Sequence, residues 1–377
     1  MKVLFFCPFD NSFMSQWQRF QIFDELQHYG IMIEVFNPWS YQSYEEANEA
    51  LLKKLKEDVS IDLFMNCASS EMLFEETMLA VTSLSIPKLL ICYDNLHAPY
   101  MHKRIAPLFD LVWLTSWETE PMFKNWGCKT VFLPYASNPF AFRDMYNKSI
   151  NKVCFVGTPY GTRTMMFNNL LDGSVDVDVF CKSIKESTSY EKKMESIPRS
   201  KETKLNSIRN LISFPLGRKV IYSGIKKQLI KPRPLVESHH LALLNKLSNE
   251  DMNRAYSNYA LSLNVIALRN TAVLKHPVQK LHLRTFEIPM CAGLEMVESN
   301  DELRGYFSEG EMVFYHDKEE MIDKAKFYTN PNNESVVRKM KINARRRAAN
   351  EHGWMNRFSI AFDLLGLTYN KTPDISL

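Results

Sequence analysis

Leu283-Arg284-Thr285-Phe286-Glu287-Ile288-Pro289-Met290-Cys291-Ala292-Gly293, followed by Leu294-Glu295-Met296-Val297, decides how this chain is read. It has a charged lead-in, a short helix of small and apolar residues, a Gly stop and a buried strand. In a doubly wound sheet, a helix N-terminus beside a strand end is where anions bind, because unpaired N–H groups and the helix dipole both favour negative charge. An Arg and a Glu there can hold a phosphate and a sugar hydroxyl. The same pair would equally cap an ordinary amphipathic helix, so the stretch takes its meaning from its surroundings.

Those surroundings are globular. With 377 residues, 45% hydrophobic and 24% charged, the chain is long enough for two domains, and two domains imply a cleft. The net charge of +3 is too small to indicate a partner by itself. Seven cysteines at 7, 67, 92, 128, 154, 181 and 291 form no CxxC pair, and several fall in apolar runs. They read as buried thiols in a reducing compartment, with cytoplasm the expected location and no zinc site. Met1-Lys2-Val3-Leu4-Phe5-Phe6-Cys7-Pro8 has the start of a leader, but Pro8 and Asp10 cut it short, so it reads as a first strand. No run reaches the roughly 18 apolar residues of a membrane span.

Upstream of the opening stretch the pattern alternates. Strands are expected over 3–7, 31–36, 62–66, 88–93, 111–114 and 130–133, with helices over 15–29, 71–83 and 117–126. Strand–helix alternation predicts a parallel sheet with ligands at the carboxyl ends of its strands. The first turn, residues 8–14, contains no glycine, so a dinucleotide fingerprint is absent. Asp94 and His97, just beyond the fourth strand, are acid–base candidates, and Asp94 would equally cap a turn. A polar stretch ending near residue 150 closes this first domain.

The pattern then restarts. Lys152-Val153-Cys154-Phe155-Val156-Gly157 is a strand running into Thr158-Pro159-Tyr160-Gly161-Thr162-Arg163 and a helix, a turn suited to a phosphate approached by backbone, with Arg163 supplying charge. Val175-Asp176-Val177-Asp178-Val179 contains Asp-x-Asp, but its alternation with valine is that of a half-buried strand with both carboxylates on the wet face. Residues 182–235 carry fourteen Lys and Arg against four Glu, a net +10. Such a segment is either a solvated insertion or a surface for an anionic membrane, a nucleic acid or a phosphorylated acceptor. Helices over 235–247 and 252–259, a strand over 261–265, and a long basic loop over 266–282 lead into the opening stretch. Beyond it, helices over 318–328, 334–350 and 355–365 follow, and Arg345-Arg346-Arg347 reads as a solvated face.

Taken in order, Phe155-Val156-Gly157-Thr158-(x4)-Arg163, Leu261-Ser262-Leu263-Asn264, Arg284-Thr285-Phe286-Glu287-(x3)-Cys291-Ala292-Gly293 and Glu351-His352-(x4)-Arg357 resemble the CgeB/YkvP-type glycosyltransferases. Tyr93-Asp94-Asn95 and Pro134-Tyr135-Ala136-(x)-Asn138-Pro139 add to the resemblance, which covers most of the chain and is strongest over 255–358. It implies the α/β GT-B fold: two facing Rossmann-like domains, a central cleft and a C-terminal helix crossing back. The domains would be 1–150 for the acceptor, 151–354 for the nucleotide-sugar with its basic insertion 182–235, and 355–377 for the last helix and tail.

The implied reaction moves a sugar from a nucleotide-sugar to an acceptor hydroxyl without metal or further cofactor. Glu287 would take the ribose, Lys280, Arg284 and Arg163 the diphosphate, and Gly157, Thr158, Asn264 and Thr285 the rest of the donor. Asp94 and His97 would serve the acceptor. The related larger family places another Glu eight positions before the ribose Glu. Here that position is Gln279, and Glu295, eight positions after, is in the wrong register. The expected acceptor is a saccharide or lipid-linked saccharide in surface polysaccharide or glycolipid assembly, made at the inner membrane face. A DNA-modifying transferase of the same fold and a non-catalytic nucleotide-binding scaffold are the alternatives.

Overall fold

Val3-Leu4-Phe5-Phe6, apolar on both faces, demands cover above and below, as the central strands of parallel sheets do. In the computed structural model, which describes residues 1–181 and 201–374, that demand is met by a doubly wound sheet. Two units divide the chain: Met1–Ala141 together with His352–Leu377, and Phe142–Glu351.

The first unit holds a six-stranded, wholly parallel sheet of β1 (Lys2–Phe6), β2 (Met32–Phe36), β3 (Leu63–Asn66), β4 (Lys88–Cys92), β5 (Leu111–Leu114) and β6 (Thr130–Phe132), in the order β2-β1-β3-β4-β5-β6. The helix expected over 15–29 runs as Phe13–Gln18 and Asp24–Gln27 joined by a π-helical turn, Arg19–Phe23. The wider turn brings Gln21 and Glu25 inward, both fully buried. Helix Trp354–Leu364 belongs to this unit. Trp354 meets Trp17 at 5.7 Å, Phe358 meets Trp113 at 5.0 Å, and Met355 N donates to Glu25 Oε1 at 2.7 Å.

The second sheet is also six-stranded and parallel: β7 (Ile150–Val156), β8 (Val177–Phe180), β9 (Leu241–Leu244), β10 (Tyr259–Asn264), β11 (Glu295–Glu298) and β12 (Val313–Tyr315), in the order β12-β11-β10-β7-β8-β9. Its core packs Phe155, Phe167, Val177, Leu261, Met296 and Met321 together. From β7 the chain winds one way through β8 and β9, then returns to the other side of β7 with β10. The order therefore reverses between β7 and β10, and the crevice outside their carboxyl ends is where such sheets take ligands.

Three sequence expectations change here. The helix expected over 235–247 is instead β9, an edge strand pairing Leu241 with Val177. Leu-Ala-Leu-Leu fits either period, and the open edge of β8 decides. Asp178 is not on a wet face: it is 6% exposed, taking hydrogen bonds from Tyr259 Oη at 2.7 Å and Lys152 Nζ at 3.2 Å. Asp176 is the exposed member, 2.7 Å from His240. Of the arginine run, Arg345 is half-buried and donates to Met290 O at 2.8 Å, and Arg347 bridges to Glu351 and Glu311.

Of the basic segment, 182–200 lies outside the described residues, while Lys201–Ile212 and Pro215–Ile230 are helices. No helix among the described residues is long and apolar enough to cross a membrane. Six of the seven thiols are buried, Cys67 is half-buried, and none is paired.

Candidate functional site

At the end of β7 the backbone turns through Gly157 with φ +142°, a conformation that side chains resist. Arg284 lies over it. Its Nε donates to Val156 O at 2.8 Å, its guanidinium carbon is 4.9 Å from the Phe155 ring, and a Cβ on Gly157 would come within 2.2 Å of Nη2. Glycine at 157 is thus what lets Arg284 rest on the strand end.

Six residues on, Arg163 opens helix Arg163–Asp172. It is 7% exposed, donates from Nη1 to Thr158 O at 3.2 Å, and stacks 4.2 Å from the Tyr160 ring. Burial first, then the charge of Arg284, pulls this guanidinium down to about 10. The turn is fastened to the long loop: Thr162 Oγ1 donates to Arg269 O at 3.2 Å, and Gly161, at φ +63°, faces Asn270 Oδ1.

The loop after β10 doubles back on itself. Leu268 N donates to Val278 O at 2.7 Å, Ala267 bridges Gln279, and Lys280 N donates to Ile266 O at 2.8 Å. Lys280 is thereby held with 5% of its surface exposed. His282 follows, half-buried, its Nε2 shut off from solvent and without a hydrogen-bond partner among the described residues. Burial, then the charges of Lys280, Arg163 and Arg284, hold this imidazole well below 6.5. The three charges that lower it are all positive. Cations gathered in a buried place repel one another, and an arriving anion relieves that repulsion.

Beneath Arg284, Asn264 closes β10 with its side chain fully buried. Its Nδ2 donates to Thr285 Oγ1 at 3.1 Å and to Glu295 Oε1 at 2.8 Å. Burial pushes Glu295 up to about 8 against the pull of Asn264 and Arg284, so the group is mostly protonated at neutral pH. Asn264, Thr285 and Glu295 are all wholly enclosed and form a floor. Glu287 sits one turn beyond Arg284 on helix Arg284–Met290 and is 7% exposed. The buried Tyr256 hydroxyl feels both charges.

Gln279 is occupied: its Oε1 accepts from Asn300 Nδ2 at 2.6 Å, and it also bonds Glu298. Glu298 ends β11, and burial raises its carboxyl. It lines a crevice of about 170 Å³ outside β10, β11 and β12, with Val265, Ile266, Ala267, Tyr315 and Lys318. Neither the three cations nor Glu287 line that crevice.

In the first unit, Asp94 is exposed and His97 half-buried in the turn after β4, where Asp94 O accepts from His97 N at 3.0 Å. That sheet reverses between β1 and β3, so this turn stands one strand away from its switch point. Asn95 is fully buried and knits the turn to Thr115, Ser116 and Thr119. The structure thus draws Gly157, Thr158, Arg163, Lys280, Arg284 and Glu287 toward the carboxyl ends of β7 and β10. It adds His282, which the sequence pattern does not single out, and Glu295, which register had set aside; Glu298 lines the neighbouring crevice.

Residues 231–363 match a family model described as glycosyl transferase-like. No curated protein sequence matches the chain. Among solved structures, an alpha-glucosyltransferase in complex with UDP-glucose and DNA containing an abasic site is similar at TM-score 0.60 and 11% identity, over 97% of this chain and 98% of that one. A glycosyltransferase from Rickettsia africae is similar at TM-score 0.58 and 9% identity, over 97% and 99%. Anabaena Alr3699/HepE, solved with UDP and glucose, is similar at TM-score 0.57 and 11% identity, over 97% and 100%. At such identities the likeness shows a shared fold, and that fold is the α/β GT-B architecture.

Proposed function

We propose that the chain transfers a glycosyl unit from a nucleoside-diphosphate sugar to an acceptor hydroxyl, as the CgeB/YkvP-type enzymes do. The observation that carries this reading is Arg284 lying on Gly157 at the end of β7, with Arg163 bound to Thr158 O and with Arg163, Lys280 and Arg284 all lowering His282, beside the switch point of the second sheet. A diphosphate leaving group gains charge as its bond to the anomeric carbon breaks, and preformed cations stabilise that charge. Arg163 and Arg284 offer planar forks and Lys280 a point charge. Glycine at 157 lets Arg284 reach the end of β7, and Thr158 holds Arg163 beside it. Glu287 accepts from a ribose hydroxyl, and Asn264 and Thr285 support the helix that carries it.

The acceptor oxygen bonds the anomeric carbon and its proton passes to a base. Asp94 is the residue proposed for this, with His97 as its alternate. Three side-chain cations do the neutralising, so transfer is expected to persist in EDTA. We take the acceptor to be a saccharide or lipid-linked saccharide of surface polysaccharide or glycolipid assembly, glycosylated in the cytoplasm. A DNA acceptor is the second reading, favoured by the DNA in one similar structure and by the +10 segment. A nucleotide-binding scaffold without catalysis is the third, favoured by Gln279. A thermal-shift screen of UDP-, GDP-, dTDP- and CMP-sugars tests the reading. One donor should raise the melting temperature and be slowly hydrolysed, with hydrolysis lost in Glu287→Ala. A flat response to all four would refute it.

A further inference from the structure

Helix Pro215–Ile230 has two apolar sides, and only one is used. Gly217, Val220 and Ser223 face inward, Gly217 so tightly that a Cβ would stand 2.0 Å from Leu211 O. On the opposite side Tyr222, Ile225 and Leu229, spaced three and four apart, are 58%, 59% and 79% exposed. Arg218 continues that stripe toward the helix start, and Lys219 and Lys226 flank it. The preceding helix, Lys201–Ile212, leaves Ile208 and Ile212 exposed one turn apart. Of the twenty exposed large apolar side chains among the described residues, seven lie within 208–236. That same span holds seven Lys and Arg and no Asp or Glu.

We propose that this helical pair docks the protein onto an anionic lipid surface. Scattered exposed apolar residues are ordinary, but a continuous apolar stripe bordered by cations and free of acidic residues is the make-up of a helix lying in a bilayer interface. Acidic headgroups attract Arg218, Lys219 and Lys226, while Tyr222, Ile225 and Leu229 sink below them. A nucleic acid would satisfy the cations but leave Ile225 and Leu229 in water, since single strands are held by aromatic stacking and Tyr222 is the only ring on the stripe. A second copy would set two uniformly basic faces against each other. The inference does not depend on the transferase reading.

Co-sedimentation of the full chain with vesicles tests it, comparing phosphatidylcholine alone with phosphatidylcholine containing phosphatidylglycerol. Binding is expected only to the anionic vesicles and to weaken as salt rises. Ile225→Glu with Leu229→Glu should cut the bound fraction about tenfold at an unchanged melting temperature. Lys219→Glu with Lys226→Glu should weaken binding and flatten its salt dependence. Absence of sedimentation, or binding that neither pair alters, would overturn the proposal. So would binding to DNA at equal salt without vesicle binding, or self-association that Leu229→Glu abolishes while vesicles stay unbound.

Discussion

Arg284 and Gly157 act as one feature, because the guanidinium occupies the space a Cβ at 157 would take. Gly157→Ala should therefore push Arg284 off the end of β7 and strain a φ of +142°, at a stability cost of about 1–3 kcal/mol. Nucleotide affinity should fall further than that cost explains, by roughly tenfold or more, as isothermal titration would show. His282 adds a pH signature. Its folded pKa lies well below 6.5, so as pH falls through 6.5 the unfolded chain takes up a proton that the folded chain refuses, and stability drops. A His282→Gln variant should lose that acid-side decline in melting temperature. Sequence patterning brought out Arg163, Arg284 and Glu287, since charges before a helix after a strand are conspicuous, and Lys280 came from the family resemblance alone. It passed over His282 and Glu298 because neither breaks a pattern: one is a lone His in a loop, the other an acid at a strand end.

Helix Arg284–Met290 ends differently from its sequence. Gly293 looks like the stop, yet the left-handed residue is Ala292, at φ +53°. Glycine is required at 293 because a Cβ there would stand 2.9 Å from Ile288 O and 3.0 Å from Tyr256 O. Gly293→Ala should thus cost about 1–3 kcal/mol through overpacking, readable by urea denaturation, and wild-type stability would contradict the packing described. The helix and strand of this stretch could be read in advance because 3.6-residue spacing gives way to a solid apolar run. β9 could not, since four apolar residues suit both periods and only pairing with β8 settles them. The π-turn at Arg19–Phe23 has no sequence signature either, being imposed by the need to bring Gln21 to Asn138 N at 3.0 Å and Glu25 to Met355 N.

At the scale of the whole molecule, two wound sheets were legible from strand–helix alternation that stops and restarts. The return of the last helix to the first unit was implied by family resemblance alone; its physical basis is Trp354 among Trp17, Trp113 and Tyr135. Trp354→Ala should cost about 3–5 kcal/mol, with loss of first-unit folding. Glu25 and Glu295 give the molecule an alkaline-side slope. Burial raises both from 4.5 to about 8, so the folded chain keeps protons that the unfolded chain releases. Stability present below about pH 4.5 is lost as pH rises toward 8. Glu25→Gln, which keeps an acceptor for Met355 N, should flatten that slope, and an unchanged slope would show that Glu25 is ionised when folded.

The claim on which the functional reading turns is that the cations beside the β7–β10 switch point form the seat of a diphosphate. Titration calorimetry of UDP, GDP and dTDP against the wild-type chain and Arg284→Ala tests it most directly. One nucleotide should bind the wild type and lose about tenfold or more in affinity to the variant, which should still fold. Equal affinity in the two proteins, or no binding of any of the three nucleotides to the wild type, would contradict it.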